Sequence, residues 1–547
     1  MTPSPIIKPT RIFYNAKIIT LDPSLPVAKA MAIAGDRILA VGKDEDISAL
    51  APRDAEREDL GGQVIVPGFN DSHMHLLSWG QGMDGVDLTT ARSVGEMIRL
   101  GQEFVRSNPR QDWIVGRGWN NENFLTKTLP TRDDLDQVSA SRPVIFTRVC
   151  GHICVANSRA LEIACIDANT PDPPGGSIDR GDAGEPTGIL RENAMALVRD
   201  LIPTPTITDL KRILHRASHA AAAQGLTTVQ TNDLDGTATL TMRLGAYRQL
   251  ADAGELPIRV NLQATMPTPN DLAAYLEVRK YYPDLGPHLT FGPLKLLADG
   301  SLGARTAALT HPYRDAPDTC GMPLYTQAEL DELVWLAAKA NLQVAVHAIG
   351  DHAIEMVIAS YERAKQSVPN WTARPRIIHC QITRPRHLAR MGALGIVADI
   401  QPIFVPTDLH FAEERVGTTS AEYAYAWKTM SQMGIHTAGG SDCPVENSNP
   451  LWGIHAAITR QDREGNPQGG WHPRERLTPM EALVLFTTGS AYAAHEEAVK
   501  GSLTAGKLAD FVVLPADPTQ IAPDELLHMR VTATYVGGRQ VFPHTPD

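Results

Sequence analysis

His73 and His75 stand two residues apart at the end of the stretch Val64-Ile-Val-Pro67-Gly68-Phe-Asn-Asp-Ser-His73-Met-His75. On an extended chain, residues two apart face the same side. Two imidazoles aimed at one point are what a divalent metal ion needs. An isolated pair of this kind is also compatible with surface or hydrogen-bonded histidines, so the weight falls on what lies downstream. Lys295, His347, His379 and Asp442 follow, each near the close of a short apolar run. Four histidines, a lysine and an aspartate in equivalent positions would converge only if those runs lie side by side.

The runs have that character. Gln343-Val-Ala-Val-His347 and Arg376-Ile-Ile-His379 read as buried strands, and Asp331–Ala340 and Ala353–Lys365 read as the helices before them. A short helical stretch at His387–Met391 leads to Gly395-Ile-Val-Ala-Asp-Ile, and Ser431-Gln-Met-Gly leads to Ile435–Asp442. Strand–helix units at ~30-residue spacing indicate a parallel sheet. Runs at Gly225, Ile258 and Phe291, with the strand before His73, bring the number to eight. The expected fold is α/β, a (β/α)8 TIM-like barrel over residues 63–489, whose active sites sit at the C-terminal strand ends.

About 150 residues separate His75 from Gly225, far more than one crossover helix requires. An insertion after strand 1, residues ~85–210, is expected. Trp119 there is a pocket wall or core, and His152 and Asn157 contact substrate or cap a helix. Arg305, further on, binds a substrate carboxylate or pairs with an acid such as Asp299. Residues 1–62 and 490–547 share a texture of short strands and Gly-rich turns, as at Gly35-Asp36 and Gly537-Gly538. They are expected to build one composite β-sandwich from both termini.

Composition narrows the classes. A chain of 547 residues with 43% hydrophobic and 20% charged content describes an ordinary globular protein. The net charge of -12 argues against a nucleic-acid partner. No apolar stretch approaches the ~20 residues of a membrane span, and the N-terminal residues carry no leader pattern. A cytoplasmic location is the expectation, with a homo-oligomer left open. The six cysteines form no C-x-x-C. Cys380 and Cys443 each follow a candidate ligand and should point away from it, into packing.

With these residues in view, the chain resembles the amidohydrolase superfamily of metal-dependent hydrolases. Pro67-Gly-Phe-Asn-Asp-Ser-His-Met-His, the later single histidines, Gly440-Ser-Asp442 and the tail Gly501-Ser-Leu-Thr-Ala-Gly-Lys carry the resemblance. Arg117-Gly-Trp, Ala156-Asn-Ser, Glu185-Pro-Thr-Gly-Ile-Leu and Lys295-Leu-Leu-Ala-Asp-Gly-Ser-Leu-Gly are similar to the subgroup that includes N-substituted formamide deformylase. The resemblance implies one or two divalent ions, Zn2+ first, with His73 and His75 holding one and His347 and His379 the other. Asp442 would bind metal and act as the catalytic base. Lys295 would be carbamylated and bridge the ions, with Asp299 a nearby acid that competes for that role. The implied reaction is cleavage of a C–N bond in a small amide-like substrate by a metal-bound hydroxide. A metal-dependent esterase, lactonase or deaminase on the same scaffold is the alternative, and a non-catalytic binding or regulatory protein the third.

Overall fold

Eight parallel strands, neighbours in chain order, form the central sheet of the structure, a computed structural model that describes residues 8–543. They are β1 (Phe69–Met74), β2 (Leu226–Asp235), β3 (Arg259–Thr265), β4 (Leu289–Leu297), β5 (Val344–Ala348), β6 (Arg376–His379), β7 (Val397–Ile400) and β8 (Thr437–Gly439). Just beyond β8 the ring closes on β1. Asp442 N–H donates to the His73 carbonyl at 2.8 Å, and His75 N–H donates to the Cys443 carbonyl at 2.8 Å. The fold is a TIM-type barrel with additional β-sheets.

Helices between the strands begin and end on local chemistry. Gln327–Lys339 starts at Thr326, whose capping box with Glu329 satisfies two first-turn donors. Its Leu330, Leu333, Val334 and Ala337 are buried, spaced to form one apolar stripe. Pro385–Leu394 stops at Gly395, which takes the left-handed conformation that a helix end commonly requires.

The first barrel strand differs from expectation. The apolar run Val64–Pro67 is not part of the barrel. It pairs in parallel with Lys17–Ile19 and antiparallel with Phe511–Leu514, in a separate six-stranded sheet. The chain crosses into the barrel at Gly68, where a Cβ would lie 2.2 Å from the Thr227 hydroxyl oxygen. The true first strand is the polar run Phe69–Met74, buried along its whole length.

The six-stranded sheet takes Lys17–Ile19, Val27–Ala28 and Val64–Pro67 from the N-terminal side and Phe511–Leu514, Ala533–Val536 and Arg539–Phe542 from the C-terminal side. A four-stranded sheet holds Arg11–Tyr14, Ala30–Ala34, Arg37–Gly42 and Glu56–Asp59. One apolar core serves strands of both sheets, with Phe13, Phe511 and Tyr535 in mutual ring contact at 4.5 to 5.2 Å. Residues 11–19 form two strands, Arg11–Tyr14 and Lys17–Ile19, divided at Asn15, whose φ of 54° breaks the extended chain.

Leu77–Ile213 form a compact unit of their own. Its sheet runs in the order Gly176–Arg180, Pro186–Glu192, Ile153–Ala156, Val144–Arg148, Ile114–Trp119 and Val86–Asp87. No helix among the described residues is long and apolar enough to cross a membrane.

Candidate metal centre

Three candidate ligands meet at one point. His73 Nε2 lies 3.4 Å from Asp442 Oδ1, and His75 Nε2 lies 3.1 Å from the same oxygen. The tautomers follow from the other ring nitrogens. His73 Nδ1 faces Gln263 Oε1 at 3.0 Å, and His75 Nδ1 faces the Asn232 carbonyl at 3.3 Å. Both partners only accept, so each Nδ1 carries the proton and each Nε2 presents a lone pair. Two imidazole lone pairs and a carboxylate then converge on a common position, an arrangement that needs a cation or a proton between them.

Electrostatics agree with that geometry. Burial pushes the His73 imidazole down to about 4, with Lys295 adding to the effect, so it is neutral at pH 7. For His75, burial works downward, but hydrogen bonding and charge from Asp442 outweigh it and raise the group. Burial would raise Asp442, yet His73 and His75, which reach it as donors when a proton sits on Nε2, hold it well below the usual carboxylate range.

His379 and His347 extend the cluster. His379 Nε2 is 4.0 Å from Asp442 Oδ2, and its ring centre is 4.4 Å from that of His347. Burial, then the neighbouring His347, keeps His379 well below its ordinary range, and its Nδ1 is buried without a hydrogen-bond partner. His347 Nε2 is 3.0 Å from the Gly300 carbonyl, an acceptor that fixes the proton there and leaves Nδ1 with the lone pair. This donor set, imidazole ring nitrogens turned toward a carboxylate, fits a divalent metal ion.

Lys295, on β4, is 2% exposed. Burial lowers its amine to about 8 against the opposing charge of Asp442. Asp299 is committed elsewhere. Its carboxylate accepts backbone N–H groups from Ala308, Ile349 and Gly350 at 2.8 to 3.0 Å, and lies 3.4 Å from His347 Nε2. It therefore ties the loops after β4 and β5 together and orients His347.

Each of the four substrate candidates has its own partners. Trp119 is fully buried in an apolar core with Leu88, Leu135 and Phe146, and its indole N–H donates to the Phe146 carbonyl at 3.1 Å. Asn157 caps the helix Ser158–Ile163, accepting from Ala160 N–H at 2.9 Å. His152 faces Glu192 at 2.9 Å near the surface. Arg305 pairs with Asp315 at 2.6 Å rather than with Asp299, whose oxygens are already filled by amides. Cys380 packs against Met391, sulfur to sulfur at 3.8 Å.

Several residues that hold the centre were not singled out from the sequence. Gln263, which faces His73, also donates from Nε2 to the Ser72 carbonyl at 3.1 Å. Asp71 accepts from His73 N–H at 3.0 Å and from Ser441 N–H at 3.1 Å. Burial raises Asp71 to about 7 despite those bonds. Arg376 and Asp399 form an ion pair of zero solvent exposure, and Arg376 also donates to the Ser72 carbonyl and to Gln230, each at 2.7 Å. The signal for Gln263 was its alternation with apolar residues in Arg259-Val-Asn261-Leu-Gln263, which puts three polar side chains on one face of β3.

Comparison with known proteins adds an independent line. A model of the amidohydrolase family matches residues 56–542. YtcJ of Bacillus subtilis (strain 168), whose name carries the word amidohydrolase, is 35% identical, over 89% of this chain and 91% of its own. N-substituted formamide deformylase of Arthrobacter pascens is 29% identical, over 96% and 97%. The crystal structure of an uncharacterized metal-dependent hydrolase from Pyrococcus furiosus superposes with a TM-score of 0.76 at 30% identity, covering 93% of this chain and 100% of that one.

Proposed function

The chain belongs to the amidohydrolase family, and we propose that it is a metal-dependent hydrolase cleaving the C–N bond of an amide-like substrate, N-substituted formamides being the first class to test. The observation that carries this reading is the meeting of His73 Nε2, His75 Nε2 and Asp442 Oδ1 within 3.4 Å, with both histidine protons held on the far side of the rings. The choice of a formamide rests on the likeness to the Arthrobacter pascens enzyme.

His73, His75 and Asp442 would hold one ion, and His347 and His379 a second. Zinc suits imidazole and carboxylate donors in a reaction without redox change. When bound, such an ion supplies Lewis acidity, polarising the substrate carbonyl and making water acidic near neutral pH. Asp442 remains ionised there, takes the proton from the attacking water, and returns it to the departing nitrogen. Gln263 and the Asn232 carbonyl fix the histidine tautomers so that the rings need not reorganise. Lys295 is buried among these groups. Its neutral amine would add to CO2 with loss of a proton, and the carbamate would then help hold the metal where an ammonium could not.

Metal-stripped and zinc-reloaded protein should be assayed against formamides, N-acyl amines, esters, lactones and amino-heterocycles. Turnover of a formamide or N-acyl amine that vanishes on chelation and returns with zinc is expected. Full activity after complete metal removal would refute the mechanism, and esters or lactones as the sole substrates would refute the bond assignment.

A further inference from the structure

We propose that Gln381, Asp408 and Glu446 form a recognition site for a protonated amine carried on the substrate away from the bond that is cut. This rests on the hydrolase reading above and adds a substrate class to it, amides that bear a second, ammonium-bearing arm.

The three residues come from the loops that follow β6, β7 and β8. Gln381 is two residues past His379. Asp408 closes the short helix Val405–Asp408, which starts beside Phe404, and the Phe404 ring lies 5.6 Å from the His379 ring. Glu446 follows Asp442 by four positions. The site therefore adjoins the candidate metal centre on the C-terminal face of the barrel.

The hydrogen-bond donors that reach the two acids among the described residues are neutral. Asp408 Oδ2 accepts from the Tyr425 hydroxyl and from Gln381 Nε2, the latter at 3.1 Å. Glu446 Oε1 accepts from the Thr407 hydroxyl at 2.7 Å. The charges of Arg415 and Arg463 act on Asp408 and Glu446 without an ion pair, since Arg415 is engaged with Asp315 at 2.7 Å and Arg463 over the Trp452 ring at 4.3 Å. Burial raises Asp408 to about 6, and burial with the charge of Asp408 raises Glu446 to about 7. Neither carboxylate has a salt-bridge partner among the described residues.

Gln381 supplies an independent sign of a ligand. Its side chain is 2% exposed, and its Oε1 has no hydrogen-bond partner. Because Nε2 of the same amide is bound to Asp408, that unused acceptor lies beside the carboxylate. A buried acceptor without a donor is costly. An alkylammonium offers three donors, no acceptor and a positive charge, which answers one unmet carbonyl oxygen and two under-compensated carboxylates together. A carboxylate or phosphate ligand would meet repulsion from all three.

The test uses zinc-loaded full-length protein and has two arms. In the first, calorimetric titration compares 1,4-diaminobutane with 1,4-butanediol. The diamine should bind, the diol should bind at least about tenfold more weakly, and Asp408→Asn and Glu446→Gln should each weaken the diamine about tenfold. In the second, kcat/KM is compared for N-(4-aminobutyl)formamide and N-butylformamide, with the amine-bearing substrate favoured in the wild type and the preference lost in both variants. Gln381→Met should lower the preference as well, and serves if Asp408→Asn does not fold. Equal binding of diamine and diol, or diamine binding untouched by all three substitutions, overturns the proposal. Selective diamine binding with no hydrolysis of either formamide leaves this site standing and refutes the formamide reading. Hydrolysis of both without preference does the reverse.

Discussion

Ser441 donates both its backbone N–H and its hydroxyl to the carboxylate of Asp71, bonding the residue before Asp442 to the residue two before His73. The same Asp71 oxygen that takes the Ser441 amide also takes the His73 amide. The two segments that bear the candidate ligands are thereby clamped at the backbone, and the side chains inherit their separation from that clamp. Gly440 permits the approach, since a Cβ there would lie 2.8 Å from the His73 nitrogen.

Asp442→Asn keeps the size of the side chain and removes the proton acceptor. Turnover should fall by at least ~100-fold, in the range of a lost general base, with the circular dichroism spectrum unchanged. Wild-type turnover in this variant would exclude Asp442 as the base.

Lys295→Ala separates two roles for the lysine. A lost bridging carbamate lowers bound zinc, and a short added carboxylate such as propionate should restore part of both metal and activity. Zinc content equal to wild type, measured by elemental analysis, would mean that Lys295 acts only as a charge.

Gln263→Leu frees His73 Nδ1 from its acceptor without emptying the space. Zinc affinity should weaken about 10- to 100-fold, as for other outer partners of metal-bound histidines. Competition against a chromophoric chelator reads this directly. Unchanged affinity would show that the Gln263 contact does not orient the ring.

Arg376→Met leaves Asp399 charged, with zero solvent exposure and its cation gone. The expected loss of stability is about 3–5 kcal/mol, measured by urea unfolding of the zinc-free protein. Arg376→Met with Asp399→Leu should recover most of it. A single variant as stable as wild type would contradict a charged pair.

His387 is fully buried, 3.2 Å from Glu355, and burial pushes it down to about 4. The unfolded chain takes up a proton near the ordinary histidine value of ~6.5, and the folded chain does not until about 4. Its contribution is thus fully present above ~6.5 and is lost as the pH falls toward about 4. His387→Gln should flatten the decline in stability across that window. An unaltered profile would place the decline elsewhere.

Much of the barrel was legible because strands such as Val344–Ala348 and Arg376–His379 are short, largely apolar runs set between helices, and the candidate ligands stand near such strand ends. The first strand was misplaced for a physical reason. Asn70, Asp71 and Ser72 are buried in the interior of β1, so the strand carries no apolar signature, while the truly apolar Val64–Pro67 serves the other sheet. Histidines and Asp442 were legible by type and position. Gln263, Asp71 and Ser441 were harder to find, because amides and hydroxyls that orient ligands look like any other polar residue until their partners are known. The pairing of Arg305 went to Asp315 since three amides had already taken Asp299.

Val64–Pro67 leads through Gly68 straight into the strand that bears His73, and its antiparallel partner is Phe511–Leu514. Gly68 N–H itself donates to the Asp510 carbonyl at 2.9 Å. During synthesis on the ribosome, more than 430 residues must therefore emerge after His73 before the segment beside it is complete. The nascent chain carries its first pair of histidines long before the sheet that leads into their strand is complete.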